Sequence, residues 1–118
     1  MRYEQKLVLS QAMASSGNSS IIDLRNVIDL SLQFTVSAAS SPTGTVAVLF
    51  ANDCVVGPTG IISGGNFGAD PVVTAPAVVA NGTKMLNVLE TGHLFCQVQY
   101  TTGTGSGNLN VTTGTKGA

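Results

Sequence analysis

The single histidine of the chain, His93, is the residue best suited to move a proton or to activate a nucleophile. A hydrolase would need this imidazole in contact with a serine or cysteine and with a carboxylate. Serines occur throughout the chain, so their presence does not discriminate, and no recognisable motif surrounds His93. We interpret it as a surface or strand-edge histidine, with a small hydrolase as the alternative, and predict no catalytic residues and no enzymatic activity.

The metal-ligating side chains are few and widely spaced. A zinc site needs three or four ligands, and Cys54, Cys96 and His93 supply no closely spaced pair. On a strand, residues three apart point to opposite faces, which separates His93 from Cys96. Asp53 and Asp70 bound a glycine-rich segment and could contribute to a calcium site, but two isolated aspartates are more typical of turns that a carboxylate caps. We predict neither a metal nor a cofactor.

The two cysteines, Cys54 and Cys96, are too few to form a disulfide framework. They could form one disulfide bond. Free cysteine is among the most frequently buried residue types, which favours two free, partly buried thiols.

Aromatic side chains, which build most carbohydrate sites, are also scarce. The chain has no tryptophan, and most of its rings are expected in the core: Tyr3, Tyr100, Phe34, Phe50 and Phe95. Phe67, within the glycine-rich segment, is the ring that we expect to be exposed. It would either meet a glycan or anchor its loop to the core or to a neighbouring molecule.

The surface of this chain must be polar but almost without charge. Charged residues make up 9% of the 118 residues, and the formal net charge is −1. The five basic residues are scattered, which argues against direct binding to nucleic acid. No apolar run is long enough to span a membrane, and no signal peptide is visible. A surface of hydroxyls and glycine repels neighbouring surfaces poorly, so we predict a protein that works by packing against others.

Strict alternation of apolar and polar residues predicts the clearest element. The apolar residues Ile28, Leu30, Leu32, Phe34 and Val36 alternate with polar ones, which indicates a strand with one face on a core. Further extended segments are predicted at residues 3–11, 21–24, 45–52, 71–80, 83–89, 93–101 and 108–113, with a small polar tail after them. Because it contains two prolines, segment 71–80 would be either an edge strand or an arm that crosses the surface. Residues 55–80 are predicted to be irregular or extended.

These segments predict a single all-β domain over residues 1–118. Eight or so strands with regular turn signals and no helix indicate an antiparallel β-sandwich, jelly-roll-like or immunoglobulin-like. The glycine-alternating run at residues 103–107 precedes no helix, so it is not a phosphate-binding loop.

Two stretches, TVAVLFAND at residues 45–53 and QVQYTTGTGSGNLNV at residues 97–111, resemble small all-β virion proteins of bacteriophages. The resemblance implies a capsid decoration, cement or spike-base protein, or a minor structural protein at a tail or vertex. The virion that contains it would be assembled in the host cytoplasm. It implies other virion proteins as partners, chiefly the major capsid protein, and self-association as a trimer or another homo-oligomer.

An assembly interface is predicted at the two termini and at residues 57–80. Its residues would be Met1, Arg2, Tyr3, Phe67, Val72, Val73, Pro76 and Lys116. The alternative function is a receptor- or glycan-binding module of a phage spike or fibre.

Overall fold

The fold consists of strands without helices in the part of the chain that the structure, a computed structural model, describes: residues 2–89 and 92–117. Six strands are seven residues or longer, and five are two-residue bridges. The long strands are β1 (Arg2–Ala12), β4 (Val27–Ser40), β5 (Thr45–Ala51), β9 (Gly82–Leu89), β10 (Phe95–Thr101) and β11 (Ser106–Gly117). The short ones are β2 (Gly17–Asn18), β3 (Ile22–Asp23), β6 (Val55–Val56), β7 (Ile62–Ser63) and β8 (Gly68–Ala69).

Two antiparallel sheets carry these strands. Sheet A has the order β1-β11-β4-β9. Sheet B has the order β2-β10-β5-β8, with β3 also paired to β10. A separate hairpin, β6–β7, lies along the chain between β5 and β8. The β-sandwich predicted from the alternation pattern is therefore confirmed.

The strand pairing identifies the sandwich as a jelly roll. If β2 and β3 count as one position, β1 pairs with β11, β2/β3 with β10, β4 with β9, and β5 with β8. These pairings are those of one long antiparallel hairpin. Its first arm contains β1 to β5, and its second arm contains β8 to β11. The hairpin is rolled up so that β11 meets β4 and β10 meets β5. This arrangement of eight strand positions in two sheets is that of a jelly roll rather than an immunoglobulin fold.

The core lies between the two sheets and is built largely from β4, β10 and β11. Leu30, Leu32, Phe34 and Val36 of β4 are buried, as the alternation predicts. Ile28 is exposed instead, because the pairing of β4 with β11 shifts register between Lys116 and Gly117. This shift places Val27 against the core.

Tyr100 of β10 forms a hydrogen bond with Met13, the residue that follows β1. Its hydroxyl donates to the carbonyl oxygen of Met13 at 2.8 Å, and both side chains are buried. Thr102 Oγ1 donates to the same carbonyl, also at 2.8 Å. Gly44 lies against the Tyr100 hydroxyl, where any larger residue would collide with it.

The proline-containing residues 71–80 form an arm rather than an edge strand. They cross the surface with Val78 buried, because their prolines cannot support a sheet ladder. The expected polar tail instead continues strand β11 as far as Gly117, since it is held between β1 and β4. Phe95 is buried, as expected, with the Arg25 guanidinium 5.7 Å from its ring centroid, and its neighbour Leu94 is exposed.

Candidate interaction surface

His93 holds a loop in place through an acidic partner. Its Nε2 lies 2.8 Å from Oδ2 of Asp70, and its ring stacks on Phe50 with 4.6 Å between the centroids. The amide of Val72 donates to the other carboxylate oxygen of Asp70. The hydrogen bond to His93 is the main reason that the pKa of Asp70 lies below its usual value. The pair therefore joins residues 70–72, where the arm begins, to Phe50 near the end of strand β5.

The two thiols are free, as the sequence predicts. Cys96 is buried in the core, and burial raises its pKa to about 12. Cys54 is half-buried, with its Sγ 3.6 Å from the carbonyl oxygen of Gly64. Partial burial, followed by the charge of Asp53, raises the pKa of Cys54. Neither thiol has the depressed pKa of a reactive cysteine.

Asp53 closes the base of the glycine-rich segment, which was predicted to be irregular, through two hydrogen bonds. Its Oδ1 accepts a hydrogen bond from the Asn66 amide at 2.9 Å, and its Oδ2 accepts one from the Asn66 side chain at 2.7 Å. These two bonds, the backbone one first, lower the pKa of Asp53. Asp53 and Asp70 thus act in separate local contacts, and the described residues contain no cluster of three or more acidic, histidine or cysteine side chains that could hold a metal.

Beyond this closed base lies an exposed apolar hairpin, which we define as residues 55–63. Gly57 donates its amide to the carbonyl oxygen of Ile61 at 2.8 Å, and Gly60 adopts a positive φ of 83° that favours glycine. Val55 and Ile61 are 63% and 69% exposed. No charged residue occurs between Asp53 and Asp70. The Val-Val and Ile-Ile pairs flanking Gly-Pro-Thr-Gly were the sequence signal for this hairpin, and the sequence reading missed it.

The predicted interface residues of the arm differ in exposure. Val72 is 86% exposed, the largest value for a bulky apolar side chain in the described residues. Val73 packs on the core, and Pro76 is half-buried. Phe67, expected to be the exposed ring, is half-buried instead, because it lies beneath Gly65 in the closed segment.

The termini meet at one end of sheet A. Tyr3 of β1 is opposite Lys116 of β11, and Arg2 is opposite Gly117. Tyr3 is 72% exposed rather than in the core, because it lies on the outer face of the sheet. Met1 lies outside the described residues.

A shallow depression of about 270 Å³ adjoins Tyr3 on this outer face. Gly114, in a strand with neighbours on both sides, presents no side chain there and leaves the floor open. Polar side chains on the outer face surround the floor: Gln5, Asp29, Ser31 and Asn87.

Comparisons with known proteins support the fold. No protein-family model matches the chain, and no curated protein matches it in sequence. Within the described residues, no helix has the length and apolar character needed to cross a bilayer. The fold is similar to the crystal structure of the SPBc2 prophage-derived protein YomS, with a TM-score of 0.60 over 97% of this chain and 92% of that chain. The two sequences are 7% identical, so the likeness concerns the fold alone.

Proposed function

We propose that this chain is a non-enzymatic structural protein of a bacteriophage particle. In this proposal it packs on the viral shell, chiefly on the major capsid protein, and on copies of itself, as a decoration, cement or minor structural protein. The particle would be assembled in the host cytoplasm.

The exposed hairpin at residues 55–63 is the observation that carries the proposal. Val55, Val56 and Ile61 are large apolar side chains open to water, with no charge on the same segment. Exposed apolar surface of this kind marks a site that a partner covers. Burial of such side chains at the centre of an interface, rather than ion pairing, is what would hold the chain on a shell.

Two further observations support a place in a phage particle. The jelly-roll fold is shared with a prophage-derived protein. The low charge suits a surface that spends its time in contact with protein rather than with water. Neither the His93–Asp70 pair nor the two high-pKa thiols offers an activated nucleophile, which favours a role without catalysis.

The proposal is tested by measuring the chain in purified particles of the phage that encodes it. Mass spectrometry would compare the incorporation of wild type, Ile61→Asp and the control Met85→Asp, which changes an exposed apolar side chain on β9, outside the predicted interface. A charge placed in the buried centre of an interface should reduce incorporation by about tenfold or more. We expect this loss for Ile61→Asp only. Absence of the wild-type chain from particles, or equal incorporation of all three, would refute the proposal.

A receptor- or glycan-binding module of a phage spike or fibre is the second candidate function. The exposed ring of Tyr3 beside the polar-rimmed depression favours it, because sugars stack on exposed rings and bond to amides and carboxylates around them. A glycan array would show binding by wild type that Tyr3→Ala abolishes and Phe67→Ala retains. An array on which wild type binds no glycan would remove this candidate.

A further inference from the structure

The edges of the two sheets differ in how they are protected. In the part of the chain described by the structure, sheet B ends in β2/β3 and β8, whose strands are two residues long. Such short edges give another chain little to pair with. Sheet A ends in β1 and β9, which are 11 and 8 residues long. Long edges with open backbone groups are the usual sites of pairing between molecules.

Strand β9 carries an inward-facing charge that protects its edge against such pairing. Lys84 is opposite Phe34, whose side chain is buried, so the lysine lies on the inward face near the middle of the strand. A single inward lysine on an edge strand discourages a second strand, because pairing would bury or oppose its charge. If two β9 strands paired about Lys84, the two ammonium groups would oppose each other.

Strand β1 carries two opposite charges instead of one. Glu4 and Lys6 are opposite Thr115 and Thr113, and Thr113 is buried, so both charges lie on the inward face. Tyr3 and Leu7 are on the outer face and are 72% and 55% exposed.

The open part of β1 is short and has a defined centre. Its pairing with β11 is interrupted between Leu7 and Leu9, and the carbonyl of Val8 already accepts the Ser20 amide at 3.1 Å. A regular additional strand can therefore extend only to Leu7. The midpoint of residues 2–7 lies between Glu4 and Gln5, so a centred pairing has its centre at one of these two residues.

Symmetry and charge select Gln5 of these two residues. In an antiparallel pair about a two-fold axis, directly opposed residues share a face, so the axis must pass through a residue position. An axis at Glu4 would oppose two carboxylates, which is unfavourable. An axis at Gln5 opposes Glu4 to Lys6 of the second copy, and does so twice by symmetry. It also opposes Tyr3 to Leu7 of the second copy on the outer face.

We propose that two copies of this chain associate by antiparallel pairing of residues 3–7 of β1 about a two-fold axis at Gln5. Two four-stranded sheets then form one continuous sheet, two ion pairs form on its inner side, and two aromatic–aliphatic pairs cover exposed surface on its outer side. The contact is short, so the dissociation constant is on the order of micromolar in solution. Many copies on one shell would strengthen it through high local concentration.

This inference deepens the self-association within the proposed function, yet its test needs only the purified chain. If the chain is absent from particles but dimerises in solution, the proposed function fails and the edge pairing stands. If the chain enters particles but stays monomeric in solution, the reverse holds.

Sedimentation velocity over a range of concentrations would test the pairing with charge reversals. Glu4→Lys and Lys6→Glu each turn two attractive contacts into two repulsive ones, so each should weaken dimerisation by about tenfold or more. The double variant Glu4→Lys/Lys6→Glu should restore it, and so should a mixture of the two single variants, because each then meets its opposite charge. Lys84→Glu on β9 is the matched control and should leave the dimer unchanged. Added salt should weaken the wild-type dimer.

A cross-link would locate the axis independently of charge. Side chains directly opposed across an antiparallel pair have Cβ atoms about 5 Å apart, close enough for a disulfide after small adjustment. Gln5→Cys should therefore form a covalent dimer on mild oxidation, whereas wild type and Met85→Cys on the outer face of β9 should not. A monomeric wild type at every concentration overturns the proposal. So does a dimer that both single reversals leave intact, or a mixture of them that stays monomeric while each variant remains folded by circular dichroism.

Discussion

The shared carbonyl oxygen of Met13 makes a quantitative prediction about stability. Tyr100 and Thr102 both donate to it at 2.8 Å, at a site where Met13 and Tyr100 are buried. Removing one donor by Tyr100→Phe or Thr102→Val leaves the carbonyl bonded to the other. Each single change should therefore lower the free energy of unfolding by about 1 kcal/mol, the usual net value of one hydrogen bond.

Removing both donors is a different perturbation. The double variant leaves the carbonyl without either hydroxyl, and an unsatisfied buried acceptor costs about 1–3 kcal/mol in addition to the lost bonds. We expect a total loss of about 3–5 kcal/mol, against about 2 kcal/mol if the two effects simply added.

Urea unfolding of all four proteins would measure this coupling, with the m value checked for constancy. Asn108→Ala, a change at an exposed strand position, would serve as the control and should shift the midpoint little. Losses that add to within about 0.5 kcal/mol would show that the two hydroxyls do not share the stabilisation of this carbonyl, and the reasoning would fail.

Three other predictions follow from buried or paired groups. Because its partner His93 lowers the pKa of Asp70, this carboxylate stabilises the fold above its ordinary pKa of 3.8, and that contribution is lost as the pH falls below it. Asp70→Asn should therefore be less stable than wild type at neutral pH, with a gap in melting temperature that closes on acidification; a constant gap would contradict this. Gly44→Ala should cost about 1–3 kcal/mol in urea unfolding, because its methyl group would collide with a buried tyrosine hydroxyl, and an unchanged midpoint would count against that contact. Under native conditions a maleimide should label Cys54 and spare Cys96 until urea unfolds the chain, whereas equal labelling of both would show that the core opens readily.

The local pattern of the chain was enough to predict the strands of the core. The alternation over Leu30, Leu32, Phe34 and Val36 identified β4 and its buried face, because side chains on a strand point alternately to its two faces. The apolar run at residues 45–52 identified β5, whose bounds the structure gives as Thr45–Ala51. Free thiols and a capping role for Asp53 also followed from residue type.

The exposure of aromatic residues could not be predicted in the same way. Phe67 was expected to be exposed and Tyr3 buried, but Phe67 is half-buried and Tyr3 is 72% exposed. Phe67 is half-buried because it lies close to Gly65 in a segment that the Asp53–Asn66 bonds close, and Tyr3 is exposed because β11 sets which face of β1 is outward. Both causes are contacts between residues distant in sequence, which local pattern does not record.

The sequence by itself determined an all-β chain with one core, few charges and no recognisable catalytic motif, because side-chain periodicity and composition are local properties. Only the tertiary structure decided that the long hairpin is rolled into a jelly roll, that residues 55–63 stand as an exposed apolar hairpin, and that Glu4 and Lys6 share the open edge of sheet A. These features depend on which strands pair and in what register. Many registers satisfy the same alternation, and the packing of the two sheets against each other selects one of them.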